Sequence, residues 1–329
     1  MNGPSRDGGK GARSALDFTA RDEELLKGLS VGRAKGMHEL AERSISVYRD
    51  KLLQLKRLRG TGLEELIKDV KGTYGALLKE YTSVTSRKAY VTAISSLLTR
   101  NPVLARRMST AQASWRNLLS VLQAAEKEVR NNTRVTTEQR KTMVTQKEKE
   151  AARKKLGKRC LESLRVSQHY LLLWLLTDIP PKRLDYNALW IMKKEPVAET
   201  KGNYIVVPSQ GTVRLVLQEY KTSKTYDTLE EEMPSDLSDA IRASLRAYPR
   251  DYLFVGRDGK ATTQHTFGMW VKTVFLEHLG KATTMNAIRH SYITEHARGD
   301  HTYGEQAELA RRMGHNTDQQ MQYVRAGWG

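Results

Sequence analysis

The stretch MNAIRHSY, residues 285–292, decides the interpretation of the second half of the chain. It is followed by MGHNTDQQMQYVR, residues 313–325, and residues 263–323 are mostly helical by their apolar spacing. The first stretch places Arg289 directly before His290. Arginine supplies a permanent, forked positive charge and histidine supplies hydrogen-bond donors, so this pairing on a helix is suited to phosphate chemistry.

Three further stretches hold side chains of the same chemical kind. The second stretch contributes His315 and, eight residues later, Tyr323. Upstream, TDIPPKRLDY contains Arg183, and EYKTSKTY contains Lys221 and Lys224. Each of these alone is weak evidence, because single exposed arginines, lysines and tyrosines are common on protein surfaces.

The elements around these motifs predict a mixed domain. LESLRVSQHYLLLWLL, from Leu161, predicts a buried helix that ends before two prolines. Residues 202–234 alternate β-branched and polar residues between turn signals, which predicts a small antiparallel sheet. We therefore expect an α+β domain over residues 161–329.

The first part of the chain has a different pattern. Residues 1–19 are expected to be a disordered tail, and residues 20–132 have helical periodicity, which predicts a compact all-helical domain. The polar, charged residues 133–160 are expected to be a basic connector. The predicted fold class is mainly α with a small antiparallel β-sheet: an N-terminal helical domain followed by the α+β domain.

The positive charge is concentrated in one third of the chain. The formal net charge is +18, and residues 51–160 hold 25 Lys/Arg against 9 Asp/Glu, a net of +16. Such asymmetry predicts a basic surface within residues 51–160 that binds nucleic-acid phosphates. A basic helical face that is merely solvated is the alternative.

Composition excludes several classes of protein. The single cysteine, Cys160, cannot form an internal disulfide, and no Cys-His cluster is available for a structural zinc. We therefore expect no metal and no cofactor. The longest apolar run, residues 170–176, is too short to cross a bilayer, and no secretion signal is visible. We expect an intracellular protein that lies where its DNA is, in the cytoplasm or nucleus of a host cell.

Taken in order, the four stretches resemble the tyrosine recombinase family, of the phage-integrase type. The resemblance covers about residues 165–325 through IRHSYIT, MGHN and the late tyrosine, and extends weakly to residues 63–132. TDIPPKRLDY with EYKTSKTY is similar to the branch found in viruses and mobile elements of eukaryotes.

The resemblance implies a mechanism of DNA cleavage and rejoining. Tyr323 would attack the scissile phosphate and form a 3′-phosphotyrosyl bond, which conserves the bond energy without ATP. Arg183 and Arg289 would bind the non-bridging oxygens, and His315 would add a hydrogen bond. Lys224, or alternatively Lys221, would protonate the leaving 5′-oxygen as general acid.

One position departs from the family pattern. Asn286 stands where the family often has histidine, and asparagine cannot accept a proton at neutral pH. His290 could serve as proton acceptor instead, or it could be a packed residue behind the site. The implied partner is double-stranded DNA, bound at two sites by a homotetramer.

Other functions remain open from the sequence. The same fold could belong to an accessory DNA-binding protein that does not cleave, given Asn286. It could also belong to a type IB topoisomerase or a telomere resolvase, which shares the tyrosine and the arginine pair. An RNA-binding scaffold is a fourth reading, although the predicted strands lack the clustered aromatic residues that stack on bases.

Overall fold

The chain divides into two compact units. The computed structural model describes residues 17–30, 39–194 and 200–328. The first unit ends at Asn132 and the second begins at Thr133. The predicted tail, residues 1–19, lies outside the described residues except for its last three.

The first unit is helical throughout its described residues. A capping box at Thr19 begins α1, because the Thr19 hydroxyl accepts from the Asp22 N–H and the Asp22 carboxylate accepts from the Thr19 N–H. The helices are α1 (Ala20–Leu26), a 3₁₀ turn (Lys27–Leu29), α2 (Glu42–Arg59), α3 (Leu63–Lys68), α4 (Val70–Glu80), α5 (Val84–Arg100), α6 (Pro102–Arg107) and α7 (Ser109–Asn131).

The apolar spacing of residues 63–81 predicts one helix, but the structure has two, α3 and α4. Asp69 interrupts this stretch, and its side chain accepts a hydrogen bond from the Gly72 N–H, which caps α4. The core of this unit lies largely between α5 and α7, where Trp115 is fully buried and its indole N–H donates to the Ile67 carbonyl over 2.7 Å.

The second unit combines nine helices with one sheet among its described residues. Its helices are α8 (Thr137–Thr142), α9 (Gln146–Gly157), α10 (Leu164–Asp178), α11 (Ser223–Tyr226), α12 (Ser235–Ala247), α13 (Gln264–Leu279), α14 (Met285–His296), α15 (Tyr303–Arg312) and α16 (Thr317–Met321). Its strands are β1 (Trp190–Met192), β2 (Asn203–Val206), β3 (Arg214–Leu217) and β4 (Leu229–Glu232).

The sheet has strand order β1-β2-β3-β4 and is mixed. Strands β2, β3 and β4 are antiparallel neighbours, as the alternation in residues 202–234 predicts. Strand β1 lies upstream of that stretch and pairs with β2 in parallel. The sequence analysis did not predict β1, because its three residues, Trp190–Met192, are too few to show a period of two.

Residues 133–160 are part of the second unit. Helix α9 lies against α10, and Val144, Ala152 and Leu156 belong to the same apolar core. Lys149 is fully buried, and its ammonium donates to the Leu176 carbonyl over 2.8 Å. Part of the basic composition of this stretch is therefore internal to the second unit.

The last described residues pack beside the start of this unit. The Ala326 N–H donates to the Thr133 carbonyl over 2.8 Å, and the Val135 N–H donates to the Ala326 carbonyl over 3.3 Å. Trp328 is buried, with the Arg298 guanidinium 5.7 Å from its ring. These contacts fix the segment that follows Tyr323.

Among the described residues, no helix has both the length and the apolar character needed to cross a membrane.

Candidate active site

Arg289 is the centre of the candidate site. It lies on α14, which Thr284 caps, and its side chain is 1% exposed. The guanidinium donates to the Pro181 carbonyl over 2.6 Å and to the Met313 carbonyl over 3.4 Å. Burial lowers the pKa of Arg289 below its ordinary value, and the neighbouring Tyr323 hydroxyl partly offsets this. These carbonyls hold the charged fork in one orientation.

Tyr323 lies against this guanidinium. It follows the short helix α16, and its ring centre is 5.2 Å from the guanidinium carbon of Arg289. The side chain is 9% exposed and packs against Ile293, Leu309 and Met313. The phenol is therefore held beside a fixed positive charge by packing on α14 and α15.

His290 holds the main chain of the same tyrosine. Its Nδ1 lies 2.7 Å from the Tyr323 carbonyl oxygen, and the two rings are 4.7 Å apart. A carbonyl only accepts, so Nδ1 carries the proton and donates. Nε2 lies 3.5 Å from the Arg325 guanidinium. Burial lowers the pKa of His290 to about 4, so the ring is neutral at pH 7.

His315 is buried on the other side of the tyrosine. Its ring is 5.5 Å from the Tyr323 ring, and its Nδ1 lies 3.4 Å from an amino group of Arg289. Arginine only donates, so Nδ1 accepts and the proton is on Nε2. Burial lowers the pKa of His315 to about 4, and the Arg289 charge adds to the effect.

Two buried N–H donors of this cluster make no hydrogen bond with the described residues. Among the described residues, Nε of Arg289 and Nε2 of His315 are buried without a hydrogen bond. Buried donors are nearly always satisfied in folded proteins, and ligands are one way of satisfying them. Both atoms are donors, which suits an anion, although Oε1 of Gln320, a neighbouring acceptor that interacts with His315, is buried without a hydrogen bond to the described residues as well.

Arg183 lies near the same cluster and is partly buried. Its charge contributes to the lowered pKa values of Arg289 and His315. Burial raises the pKa of Asp185, although Arg183 and Arg289 beside it oppose the shift. The Asp185 carboxylate accepts the backbone N–H of Arg183. Residues 185–188 form a turn.

The two candidate lysines are exposed. Lys221 and Lys224 lie on the connection between β3 and β4, and Lys224 is on the single-turn helix α11. Thr222, between them, donates to the Gly314 carbonyl over 2.8 Å. The connection is thereby attached to the residue before His315.

Asn286 is exposed on the first turn of α14. It precedes Arg289 by three residues and His290 by four, so it lies over the same side of the helix. Asn286 is therefore a solvent-exposed residue of the candidate site and does not belong to the buried cluster around Arg289.

Sequence reasoning missed a buried charged group beside the site. Lys182 is 3% exposed, and its ammonium donates to Glu231 over 3.2 Å and to the Arg312 carbonyl. Arg312 also pairs with Glu231. Burial lowers the pKa of Lys182 to about 8. Because side chains alternate along a strand, Glu231 faces the same side of β4 as the buried Leu229, but the glutamates that surround it give no apolar alternation in the sequence.

One further group has metal-ligand chemistry. His169, Glu277 and His278 place their ligand atoms within 4.8 Å of one another. His169 Nδ1 and His278 Nε2 lie 2.9 Å apart and share a hydrogen bond, and Glu277 pairs with Arg165. All three side chains thus already have partners, which distinguishes this group from the Arg289 cluster.

The predicted basic surface is partly reduced by burial and pairing. Lys56 and Lys149 are buried, and Lys56 pairs with Asp22 over 2.6 Å. Several cations remain exposed on α4, α6, α7 and α9: Lys71, Lys79, Arg106, Arg116, Lys127, Lys147, Lys154 and Lys155.

Comparison with known proteins shows the fold. Neither protein-family models nor curated proteins give a match. The chain is similar to the Tn1549 transposon integrase, solved in complex with transposon right-end DNA, at 14% identity and a TM-score of 0.53, over 91% of this chain and 94% of that one. It is also similar to XerA recombinase at 14% identity and a TM-score of 0.39, over 93% and 94% of the two chains.

Of these two structures, the integrase has the higher TM-score, and the fold comparison rests on it. The predicted fold class is confirmed: the chain is mainly helical with a small sheet, and it shares the fold of an integrase. At this identity the comparison concerns the fold alone, so the chemistry must be argued from the site.

Proposed function

We propose that this protein is a tyrosine recombinase that cuts and rejoins DNA through a 3′-phosphotyrosyl intermediate. The observation that carries the proposal is the position of Tyr323 beside Arg289, with His315 5.5 Å from the tyrosine ring. Tyr323 supplies a nucleophile, and the buried guanidinium of Arg289 and the donor of His315 lie next to it. The integrase fold supports the same conclusion.

The scissile phosphate binds between the two arginines. Arg289 and Arg183 neutralise the non-bridging oxygens, whose charge increases in the transition state. The unpartnered Nε of Arg289 and Nε2 of His315 supply two further donors. The carbonyl contacts that fix the Arg289 guanidinium orient it before DNA arrives.

Cleavage transfers the DNA 3′-phosphate to the tyrosine oxygen. The Tyr323 oxygen attacks phosphorus and loses its proton, while the bond to the 5′-oxygen breaks and that oxygen gains a proton from Lys224, with Lys221 as the alternative. Rejoining is the reverse reaction, with a DNA 5′-hydroxyl as nucleophile.

His290 acts as a positioning residue in this proposal, not as the proton acceptor. Its Nδ1–H is committed to the Tyr323 carbonyl, and its Nε2 faces Arg325. Asn286 orients the phosphate through its amide, which leaves solvent or a phosphate oxygen to accept the tyrosine proton.

The DNA partner follows from the charge. Exposed cations within residues 51–160 bind the phosphate backbone. Exchange between two duplexes requires the cleavage of four strands, and each subunit cleaves one strand. The working form is therefore a homotetramer on two DNA sites. The protein acts where its DNA is, in the cytoplasm or nucleus of a host cell. The branch of viruses and mobile elements of eukaryotes remains a prediction from TDIPPKRLDY and EYKTSKTY.

A second candidate function is DNA binding without cleavage. It is favoured by Asn286, which stands exposed at the site and cannot act as a base at neutral pH. A topoisomerase or telomere resolvase would cleave but would not pair two sites.

Covalent trapping separates these functions. The protein is incubated with a randomised pool of nicked duplexes, denatured in SDS, and the protein-linked DNA is sequenced. We expect adducts with the wild type, none with Tyr323→Phe, and adducts with the matched control Tyr303→Phe, an exposed tyrosine of α15. DNA binding by the wild type without any adduct would favour the non-cleaving function. Adducts with joining of two sites would favour the recombinase over a topoisomerase.

A further inference from the structure

Three consecutive carbonyl groups lead into His315, and each receives a side-chain hydrogen bond from a different segment. The Arg312 carbonyl accepts from Lys182, the Met313 carbonyl from Arg289, and the Gly314 carbonyl from Thr222. These carbonyls lie at the end of α15, where helical partners run out.

The three donors come from the segments that hold the other candidate residues. Lys182 precedes Arg183, Arg289 is itself a candidate, and Thr222 lies between Lys221 and Lys224. The turn 312–314 is therefore the point at which the four sequence motifs meet.

The β3–β4 connection lies close to the backbone of Gly314. Gly314 has a φ of +69°, which favours glycine, and a Cβ there would lie 3.2 Å from the Tyr220 ring and 3.3 Å from Thr222 Oγ1. The β3–β4 connection thus rests directly on the backbone before His315. Within the connection, the Tyr220 hydroxyl donates to the Asp227 carbonyl over 2.7 Å, and this hydrogen bond joins its first residues to its last ones.

Neither Lys221 nor Lys224 makes a comparable hydrogen bond or ion pair of its own with the described residues. Lys221 and Lys224 are exposed, and α11, which carries Lys224, is a single turn of four residues. Thr222 precedes that turn as its N-terminal cap residue, and its hydroxyl is used for Gly314 instead of for the helix. The position of Lys224 relative to His315 therefore depends on this hydrogen bond together with the packing of the Tyr220 ring against Gly314.

We infer that Thr222 is a positioning residue that sets the proton-donating lysine against the phosphate-binding His315. This inference rests on the proposed function for its catalytic consequence. Its structural content, that Thr222 holds the β3–β4 connection on the turn 312–314, stands independently of it. The methyl-for-hydroxyl exchange Thr222→Val removes the hydrogen bond while keeping the shape of the side chain, and Thr222→Ser keeps the hydroxyl.

Limited proteolysis tests the structural content without any activity. Trypsin cleaves after lysine, and Lys221 and Lys224 are exposed reporters on the connection. We expect Thr222→Val to increase the initial rate of cutting at these two sites about 3- to 10-fold, the range for loss of one net hydrogen bond. Thr222→Ser and the control Thr225→Val, an exposed neighbour, should cut at the wild-type rate. An unchanged rate in Thr222→Val would overturn the inference.

A substrate with a 5′-bridging sulfur tests the catalytic consequence. A thiolate leaves without a proton donor, so cleavage of this DNA does not depend on where the lysine lies. We expect Thr222→Val to slow cleavage of ordinary DNA by at least tenfold and to approach the wild-type rate on the sulfur-containing strand. A defect of equal size on both substrates would refute the positioning role. If the wild type cleaves neither substrate, the proposed function fails, while the trypsin result still decides whether Thr222 holds the connection.

Discussion

The guanidinium carbon of Arg289 lies 5.2 Å from the centre of the Tyr323 ring within one chain. Nδ1 of His290 lies 2.7 Å from the Tyr323 carbonyl oxygen, so the tyrosine is attached to the helix that carries the arginine. An active site assembled in this way draws its tyrosine and its phosphate-binding groups from the same subunit.

Mixing experiments test this arrangement. We expect that equal amounts of Tyr323→Phe and Arg289→Ala, each inactive in DNA cleavage, remain inactive when mixed. Each protomer would lack one essential group of its own site, and a neighbour could not replace it. The measurement is the yield of covalent adduct on a nicked duplex, with wild type diluted by Tyr323→Phe as the control for mixed assembly. Recovery of cleavage in the mixture would show that the tyrosine is delivered between subunits.

Replacing Arg289 by lysine separates charge from geometry. Arg289→Lys keeps the positive charge but loses the fork that donates to Pro181 and Met313. We expect cleavage to fall by about 10²- to 10³-fold, the usual effect of removing a preorganised donor, and stability to fall by about 1–3 kcal/mol because a buried carbonyl loses its partner. Single-turnover cleavage and urea unfolding measure the two effects.

The control for that change is Arg311→Lys, on the exposed surface of α15, where the side chain pairs with Glu308. Exposed ion pairs contribute little, so its cleavage rate and stability should match the wild type. Wild-type cleavage by folded Arg289→Lys would contradict the role given to the guanidinium.

Two buried histidines and one half-buried histidine predict a loss of stability at mildly acidic pH. Burial lowers the pKa of His169, His290 and His315 to about 4, whereas a free histidine titrates near 6.5. The unfolded chain therefore binds these protons first. The contribution of each neutral histidine to the free energy of unfolding is complete above pH 6.5. It is lost as the pH falls towards 4, at a rate that approaches about 1.4 kcal/mol per pH unit for each histidine.

Urea unfolding between pH 7.5 and pH 5 measures this loss. His290→Gln removes one titrating group and keeps an N–H donor, so we expect a shallower pH dependence than in the wild type. His265→Gln, at an exposed position on α13, should leave the slope as it is. A wild-type slope in His290→Gln would show that His290 is protonated equally in both states.

Salt dependence tests the basic surface. Lys154 and Lys155 are exposed on α9, and each phosphate contact contributes about 0.9 to the slope of log affinity against log salt. The double variant Lys154→Ala/Lys155→Ala should therefore reduce that slope by about two. Arg159→Ala, which removes a cation already paired with Glu162, should change it little. Equal slopes in all three proteins would remove α9 from the DNA-binding surface.

The sequence predicted the fold class because long amphipathic stretches and alternating strands leave strong periodic signals. It failed at short elements, where packing decides. Asp69 divides a stretch that is apolar enough for one helix, and β1 has only three residues. Burial of Lys149 could not be foreseen from a stretch as polar as residues 133–160, because it depends on the Leu176 carbonyl of another helix.

The candidate site shows the same division. The order of the motifs predicted Arg289, His315 and Tyr323, and the fold brings these three side chains together. It could not predict that His290 donates to a backbone carbonyl, nor that Lys182 is buried against Glu231. Both contacts join residues far apart in the chain, and neither leaves a periodic pattern.

The most direct test of the account is to identify the residue that becomes bonded to DNA. The adduct trapped on a nicked duplex is digested with nuclease and trypsin, and the peptides are analysed by mass spectrometry. We predict a nucleotide on Tyr323, in the peptide of residues 313–325, joined through its 3′-phosphate and leaving a free 5′-hydroxyl on the released strand. A nucleotide on any other residue, or attachment through a 5′-phosphate, would contradict the account.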